Sequence, residues 1–195
     1  MNKIQSVCVY AASSTKVPEI YFNTAHELGT LLAMHHLRLI NGAGRQGLMR
    51  ECADACMEHG GQVTGVIPTF MIEQGWQHTG LTELIETKDI PTRKQTMARL
   101  SDGVIALPGG CGTLEELLEI ITWKQLGLYL NPIVILNVDG FFNNLLDQLK
   151  LAADENFMRS EHLNIWEVAS TPKEAIDLLY TTPVWNQEIR KFAAI

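Results

Sequence analysis

Five short apolar runs recur along the chain and are separated by longer amphipathic stretches. The runs cover residues 4–10, 37–41, 62–67, 103–107 and 132–138. Apolar runs of this length are typical of buried β-strands. The helix-like stretches between them begin near Pro18, Gly47, Thr92, Thr113 and Phe141. This alternation predicts an α/β fold, with a Rossmann-like parallel sheet and helices on both of its faces.

Three polar or glycine-rich loops follow predicted strands, at residues 10–14, 41–47 and 108–113. Parallel sheets bind ligands at the carboxyl ends of their strands, so we expect these loops to surround one site. Ser13 and Ser14 in the first loop are candidate ligand contacts, or else parts of an ordinary turn. The glycines of the second loop resemble a dinucleotide fingerprint, but no acidic residue clearly ends a second strand about 20 positions further on.

The third loop joins an apolar run to a helix-like stretch. Gly109, Gly110 and Gly112 have no Cβ, so the backbone can approach a ligand closely. Its N–H groups can then point at an anion on the positive end of the helix dipole, which predicts a site for a 5′-phosphate. The alternative is a plain strand-to-helix turn in which Thr113 and Glu116 form a capping box.

Two carboxylates, Glu115 and Glu116, flank this predicted anion site, where their negative charge opposes phosphate binding. A reaction that develops positive charge beside the phosphate would explain their presence. Cleavage of an N-glycosidic bond through an oxocarbenium-like state is such a reaction. Two roles therefore stay open for Glu116, a helix cap and a catalytic carboxylate.

Helical periodicity alone makes Arg93 a candidate functional residue. If residues 92–101 are helical, Arg93 shares an apolar face with Met97 and Leu100, and a permanent cation then points toward the core. Such an arginine needs a partner, which can be a structural carboxylate or a ligand.

The sequence resembles one family specifically. Residues 108–116 read PGGCGTLEE and match the PGGxGTxxE motif of the LOG family, the cytokinin riboside 5′-monophosphate phosphoribohydrolases, often labelled "lysine decarboxylase-like". Further matches follow in family order over roughly residues 4–180, at Arg93-Lys94 with Met97, Ser101-Asp102, residues 121–127 and residues 136–141. Two departures stand out. Pro91-Thr92 replace the family's usual His-Glu or His-Gln, and Gly75, with Glu73 and Trp76 close by, stands where plant members carry a substrate-contacting Glu.

The resemblance implies hydrolysis of the N-glycosidic bond of AMP or N6-prenylated AMP, which releases the base and ribose 5-phosphate without a cofactor. Glu116 and Arg93 are then the catalytic residues. The implied substrate contacts are Lys94, Gly109, Gly110, Cys111, Gly112, Thr113, Glu115 and Thr122, together with Ser13, Ser14, Gly42 and Gly44.

Two other functions are alternatives to hydrolysis. The older family label suggests a pyridoxal-phosphate decarboxylase, but no lysine stands in a recognisable Schiff-base context. The other alternative is a nucleotide-binding carrier or sensor that uses the same fold and phosphate loop without turnover.

Length, charge and hydrophobicity limit the domain organisation, the kinds of partner and the location that we expect. The 195 residues, 46% of them hydrophobic, predict a single domain over residues 1–195, since no stretch resembles a linker. A net charge of -7 without basic runs argues against nucleic acid as a partner. The first apolar run is too short for a signal sequence or a membrane span, which predicts a cytoplasmic protein.

The cysteines bear on metal binding, and one apolar helix bears on subunit assembly. Cys52, Cys56 and His59 share a helix face, but such cysteines are more often small core residues, so we predict no metal site. The stretch 114–128 is apolar around most of its circumference. It is either buried within one chain or meets a second subunit, and the family resemblance favours a homodimer.

Overall fold

The computed structural model describes residues 3–186 and 188–189. Its strands are β1 (Ser6–Tyr10), β2 (Arg38–Asn41), β3 (Val63–Pro68), β4 (Glu83–Thr87), β5 (Val104–Ala106), β6 (Ile133–Leu136) and β7 (Glu167–Ala169). Its α-helices are α1 (Glu19–Met34), α2 (Gly47–Glu58), α3 (Thr69–Glu73), α4 (Ile90–Arg99), α5 (Cys111–Gln125), α6 (Asn143–Asp154) and α7 (Pro172–Thr181). Two 3-10 turns lie at Val138–Gly140 and Ser160–Asn164.

The strands form one seven-stranded sheet in the order β4-β3-β2-β1-β5-β6-β7, and every pairing within it is parallel. The chain builds outward from β1 to β4 on one side, then crosses over and builds outward from β5 to β7 on the other. The order thus reverses between β1 and β5. In open parallel sheets the crevice at such a reversal is the usual ligand site.

Helices cover both faces of the sheet, as the sequence predicts. Val7 and Val9 of β1 belong to a cluster that also contains Leu28 of α1, Leu48 of α2 and Ile176 of α7. Their neighbours on β1 point to the opposite face, because side chains alternate along a strand. Cys8 and Tyr10 accordingly join a second cluster with Met97 of α4, Leu117 of α5 and, at its edge, Leu145 of α6. The predicted α/β fold is confirmed.

The five predicted strands are present. Four of them have slightly shorter bounds, and β3 is shifted by one residue toward the C-terminus. The sequence analysis missed β4 and β7 because neither presents an apolar run. Both are edge strands, and Glu83–Thr87 is exposed along most of its length while Glu167–Ala169 has only three residues. Edge strands carry polar residues because one side of the strand has no neighbour to pair with.

Three predicted helix starts, those of α4, α5 and α6, differ by two residues from the observed ones. Helix α4 begins at Ile90 rather than Thr92, because the Asp89 carboxylate accepts a 2.7 Å hydrogen bond from the Thr92 N–H and caps the helix. Helix α6 begins at Asn143 rather than near Phe141, because the Phe141 N–H bonds back to the Val138 carbonyl and closes the turn Val138–Gly140.

The capping box predicted for α5 is also wrong. The helix begins at Cys111 with Gly110 as its N-cap, so Thr113 already lies inside the first turn. A Cβ added to Gly109 would stand 2.1 Å from the Thr113 hydroxyl oxygen. The Thr113 side chain therefore packs against the loop and does not cap the helix.

Within the described residues, no helix is long and apolar enough to cross a membrane.

Candidate active site

A pocket of about 640 Å³ opens at the carboxyl ends of β1, β2, β3 and β5, where the strand order reverses. Its walls come from the loops that follow these four strands, together with parts of α2, α4 and α5. The lining residues are Ala11, Ala12, Ser13, Ser14, Gly42, Gly44, Arg45, Gln46, Met49, Met71, Trp76, Arg93, Gly110, Cys111, Gly112, Thr113 and Glu116. Loops that are far apart in sequence thus form one site, as predicted.

The start of α5 lines one end of the pocket and has the geometry of an anion site. In the first turn of any α-helix the N–H groups have no acceptor within the helix, and here they belong to Cys111, Gly112 and Thr113. A Cβ added to Gly110 or Gly112 would meet nothing within 4 Å, so both glycines leave the space above the helix open. Free N–H groups at the positive end of the dipole suit a phosphate.

The loop after β1 faces this end of the pocket. Ser13 and Ser14 line the pocket and are exposed. The Ser14 hydroxyl accepts a 3.2 Å hydrogen bond from the Lys16 N–H, which fits the ordinary-turn interpretation, yet its position beside the anion site also suits a ligand contact. Gly47 has a φ of 69° and packs against the Ser13 backbone, which joins this loop to the start of α2.

Arg93 lies inside the pocket wall and is 8% exposed. Its Nε donates to the Val66 carbonyl at 3.0 Å, and its Nη2 donates to the Gly42 carbonyl at 3.1 Å. Its Nη1 stands 3.7 Å from Oε1 of Glu116. A Cβ added to Gly42 would stand 1.6 Å from Arg93 Nη2, so this glycine is needed for the close approach of the guanidinium. Gly42 therefore positions Arg93.

Glu116 is also 8% exposed and faces the pocket from the second turn of α5. Burial raises the pKa of this carboxyl to about 7, while Arg93 opposes the shift and Glu115 and Glu119 add to it. A carboxyl that titrates near neutral pH can both take up and release a proton, which is the property that a general acid or base requires. The pair Arg93 and Glu116 is therefore the candidate catalytic part of the pocket.

Lys94 points elsewhere, although it follows Arg93 directly in α4. Its ammonium contacts Glu115 Oε1 and lies 3.0 Å from Oε1 of Glu119, and both carboxylates belong to α5. Burial opposes the charged ammonium, but the hydrogen bonds to the two carboxylates outweigh it and raise the Lys94 pKa. Neither Lys94 nor Glu115 lines the pocket.

Two further predicted contacts lie outside the pocket lining. Gly109 packs beneath the Thr113 side chain. Thr122 lies three turns along α5, is exposed, and donates its hydroxyl to the Leu118 carbonyl at 2.8 Å. The structure thus brings together ten of the fourteen predicted site residues: Ser13, Ser14, Gly42, Gly44, Arg93, Gly110, Cys111, Gly112, Thr113 and Glu116.

The pocket has lining residues that the sequence analysis missed, namely Ala11, Ala12, Arg45, Gln46, Met49, Met71 and Trp76. All but Met49 follow the carboxyl ends of β1, β2 and β3 in the connecting segments, and Met49 lies in the first turn of α2. Ala11, Ala12, Arg45 and Gln46 lie in the loops 10–14 and 41–47, so position after a parallel strand already placed their loops at the site. For Met49 and Met71 the residue type gave no signal, because methionine is common in cores.

The cysteines considered as metal ligands lie in the core. Cys52 and Cys56 are buried between α2 and its neighbours, and burial raises the pKa of both thiols. The His59 Nδ1 lies 2.8 Å from the Ala55 carbonyl in the same helix. Among the residues that the structure describes, no group of three or more His, Cys, Asp or Glu side chains could hold a metal ion.

Comparisons with known proteins identify the family. A family model described as "Possible lysine decarboxylase" matches residues 49–179. A cytokinin riboside 5′-monophosphate phosphoribohydrolase of Arabidopsis thaliana is 41% identical over 91% of this chain and 78% of its own length. A protein of Oryza sativa subsp. japonica, named as a probable enzyme of the same kind, is 42% identical over 91% of this chain and 73% of its own length. The chain belongs to the LOG family.

Two solved structures of other proteins have folds similar to that of this chain. The molybdenum cofactor carrier protein of Chlamydomonas reinhardtii superimposes with a TM-score of 0.71 at 20% identity, over 92% of this chain and 98% of that protein. The molybdenum cofactor binding protein of Rippkaea orientalis gives a TM-score of 0.65 at 22% identity, over 90% and 94% of the two chains. These matches show that the LOG-family chain shares its fold with carrier proteins.

Proposed function

We propose that this LOG-family protein hydrolyses the N-glycosidic bond of adenosine 5′-monophosphates, both AMP and its N6-substituted forms, and releases the free base and ribose 5-phosphate. One observation carries the proposal. A buried Arg93–Glu116 pair faces the same pocket as the open N-terminus of α5. The names of the relatives, cytokinin riboside 5′-monophosphate phosphoribohydrolases, give the same reaction.

Each part of the pocket has a place in the reaction. The N–H groups of the first turn of α5 hold the 5′-phosphate and fix the position of the ribose. The bond between C1′ and the base nitrogen then breaks, and positive charge develops on the ribose ring. The Glu116 carboxylate stabilises this charge and accepts a proton from the attacking water, whose oxygen becomes the new C1′ hydroxyl. The leaving base nitrogen takes up a proton from solvent, and Glu116 releases to solvent the proton that it accepted. Arg93 orients the carboxylate.

The description "Possible lysine decarboxylase" finds no support in the pocket. In the described part of the chain, no lysine lines it. Lys94 is held by two carboxylates, and the buried Lys124 donates to the Asn131 carbonyl at 2.9 Å. A pyridoxal-phosphate enzyme needs a lysine that can form a Schiff base in its site.

The second candidate function is a nucleotide carrier or sensor without turnover. The shared fold with the molybdenum cofactor carrier protein favours it, because that protein is named as a carrier. The buried carboxyl of Glu116, with a pKa of about 7, favours hydrolysis, because binding a phosphate gains nothing from a nearby carboxylate.

Incubation of the purified protein with AMP separates the two functions. We expect free adenine and ribose 5-phosphate to appear in equal amounts, measured by chromatography. Adenosine should react far more slowly, because the N–H groups of α5 have no phosphate to hold, and ribose 5-phosphate should compete with AMP. Binding of AMP without release of adenine would favour the carrier, and equal rates for AMP and adenosine would refute the phosphate site.

The proposal includes assembly as a homodimer in the cytoplasm. Leu118 on α5 is 38% exposed, and Leu126 and Leu128, just beyond the helix, are 43% and 65% exposed. Apolar side chains exposed along one helix are typical of a surface that a second subunit covers. Light scattering at micromolar concentration should give twice the monomer mass of 21.8 kDa. A monomer would contradict this part of the proposal.

A further inference from the structure

The strand order defines two ends of the pocket. The phosphate end follows β5, and β1 and β2 separate β5 from β3. Three strand spacings of about 4.8 Å place the loop after β3 roughly 14 Å from the start of α5. Arg93 contacts the carbonyls of Gly42, after β2, and Val66, in β3, so the catalytic pair lies between these two ends.

The far end of the pocket is built from Met71 and Trp76, in the segment that follows β3. Trp76 is 47% exposed although it lines a pocket, and Met71 beside it is half-buried. Burial of a large aromatic side chain is a major source of stability, and this one stays half unburied. An exposed aromatic face at the end of a phosphate site is a surface on which a base can stack.

Backbone hydrogen bonds hold this aromatic residue in place. The Trp76 N–H donates to the Met71 carbonyl, and the Trp76 carbonyl accepts from the Arg45 N–H, both at 3.0 Å. One residue further along, Gln77 forms a bridge with Gly44. The Trp76 segment is thus fastened to the loop that carries Gly42. Its position is fixed before any ligand binds, so stacking requires little further ordering.

A side-chain contact anchors the same segment to α2. The His78 Nδ1 accepts a 2.9 Å hydrogen bond from the Gly80 N–H, which leaves Nε2 as the protonated nitrogen. This Nε2 donates to Asp54 Oδ1 at 2.7 Å. The segment around Trp76 is therefore held by two other parts of the fold.

We propose that Trp76 is the base-stacking residue of this site, with Met71 beside it, and that the pair sets its preference for nucleotides over simple sugar phosphates. This inference rests on the proposed function, because it assumes that a nucleoside monophosphate occupies the pocket. Stacking recognises the flat face of a base and not its edge, so it tolerates substituents at N6. The site therefore accepts AMP and N6-substituted AMP with similar affinity.

Binding experiments on the Glu116→Gln background test this inference without turnover. Titration with AMP should quench the fluorescence of Trp76, and Trp76→Phe should remove the quenching while keeping most of the affinity. Trp76→Ala should weaken AMP binding by about 10-fold or more, the loss expected when one stacked base loses its aromatic partner. The affinity for ribose 5-phosphate, measured calorimetrically, should stay within about 2-fold, because this ligand has no base.

Phe70→Ala is the matched control, since Phe70 lies next to Met71 in α3, is 46% exposed and does not line the pocket. This variant should bind both ligands like the parent protein. The inference is overturned if Trp76→Ala binds AMP as tightly as the parent, or if it loses AMP and ribose 5-phosphate equally. Stacking on Trp76 without adenine release by the wild-type protein would refute hydrolysis alone, so the two proposals can fail separately.

Discussion

Two groups of opposite charges join α4 to α5, and they differ in almost every property. Arg93 and Glu116 are both 8% exposed, face the pocket, and stand 3.7 Å apart. Lys94 contacts Glu115 closely and lies 3.0 Å from Glu119, outside the pocket lining. Neighbouring residues of a helix point about 100° apart, so one pair of adjacent cations serves two separate surfaces.

The comparison shows how the fold keeps one carboxylate reactive. Lys94 satisfies the carboxylates of Glu115 and Glu119, which makes them parts of a structural clamp. Arg93 instead gives two of its donors to backbone carbonyls, and 3.7 Å exceeds a hydrogen-bond length. Glu116 therefore remains buried without a tight ion pair, and burial raises its pKa to about 7.

The largest effect should follow Glu116→Gln. The amide keeps the shape of the side chain but cannot carry the charge that stabilises the developing oxocarbenium ion. We expect kcat for AMP to fall by about 10²-fold or more, with AMP affinity and melting temperature near those of the wild type. Glu115→Gln is the matched control and should cost less than about 3-fold. A reversed order of the two losses would move the catalytic role to Glu115.

Gly42→Ala should have the next largest effect, because the new methyl group would collide with the Arg93 guanidinium 1.6 Å away. Arg93 must then shift relative to Glu116, and we expect kcat to fall by about 10-fold or more. Gly110→Ala would separate this effect from that of a general methyl addition, because its Cβ meets no protein atom within 4 Å. Gly110→Ala should raise KM more than it lowers kcat. An unchanged kcat in Gly42→Ala would refute the positioning role of Gly42.

The pH dependence should show the raised pKa of Glu116. If the carboxylate is the active form, activity is complete above the folded pKa of about 7 and is lost as protons bind below it. We expect kcat for AMP to fall about 10-fold between pH 8 and pH 6. The substrate phosphate titrates near pH 6 as well, so the pH dependence of ribose 5-phosphate binding is the control. The residual kcat of Glu116→Gln should not change with pH near pH 7. In the wild type, a fall of kcat centred near pH 4.5 instead of pH 7 would contradict the assignment.

Lys94→Met should have the smallest effect on kcat. It is the most direct test of the difference between the Lys94 group and the Arg93–Glu116 pair. If Lys94 is part of a clamp, its loss leaves two carboxylates unpaired outside the pocket, and kcat for AMP should change by less than about 3-fold. The melting temperature should fall by about 2–4 °C for each kcal/mol lost. The resemblance to the family instead implies a phosphate or ribose contact. A large loss of ribose 5-phosphate affinity in this variant would support that contact and contradict the clamp.

The sequence was informative where burial dictated the pattern. The central strands are covered on both faces, so they appear as apolar runs, and the loops that follow them could be located from the sequence. The Lys94 and Glu115 predictions relied on the family resemblance, which gives no side-chain directions. Adjacent helical positions face different directions, and the structure places both residues outside the pocket lining. Trp76 was noted only as a neighbour of Gly75, because its place at the pocket depends on pairing between the loops after β2 and β3.

The sheet order has a consequence for how the protein is made. β1 lies between β2 and β5, and the Ser6 N–H bonds to the Asp102 carboxylate 96 residues later in the chain. A growing chain therefore cannot complete its central sheet until β5 has been synthesised, and such distant pairings form slowly. The pocket takes its walls from the loops after four strands, so no fragment that ends before β5 can contain it. Recovery of activity after denaturation is therefore a direct measure of completed folding.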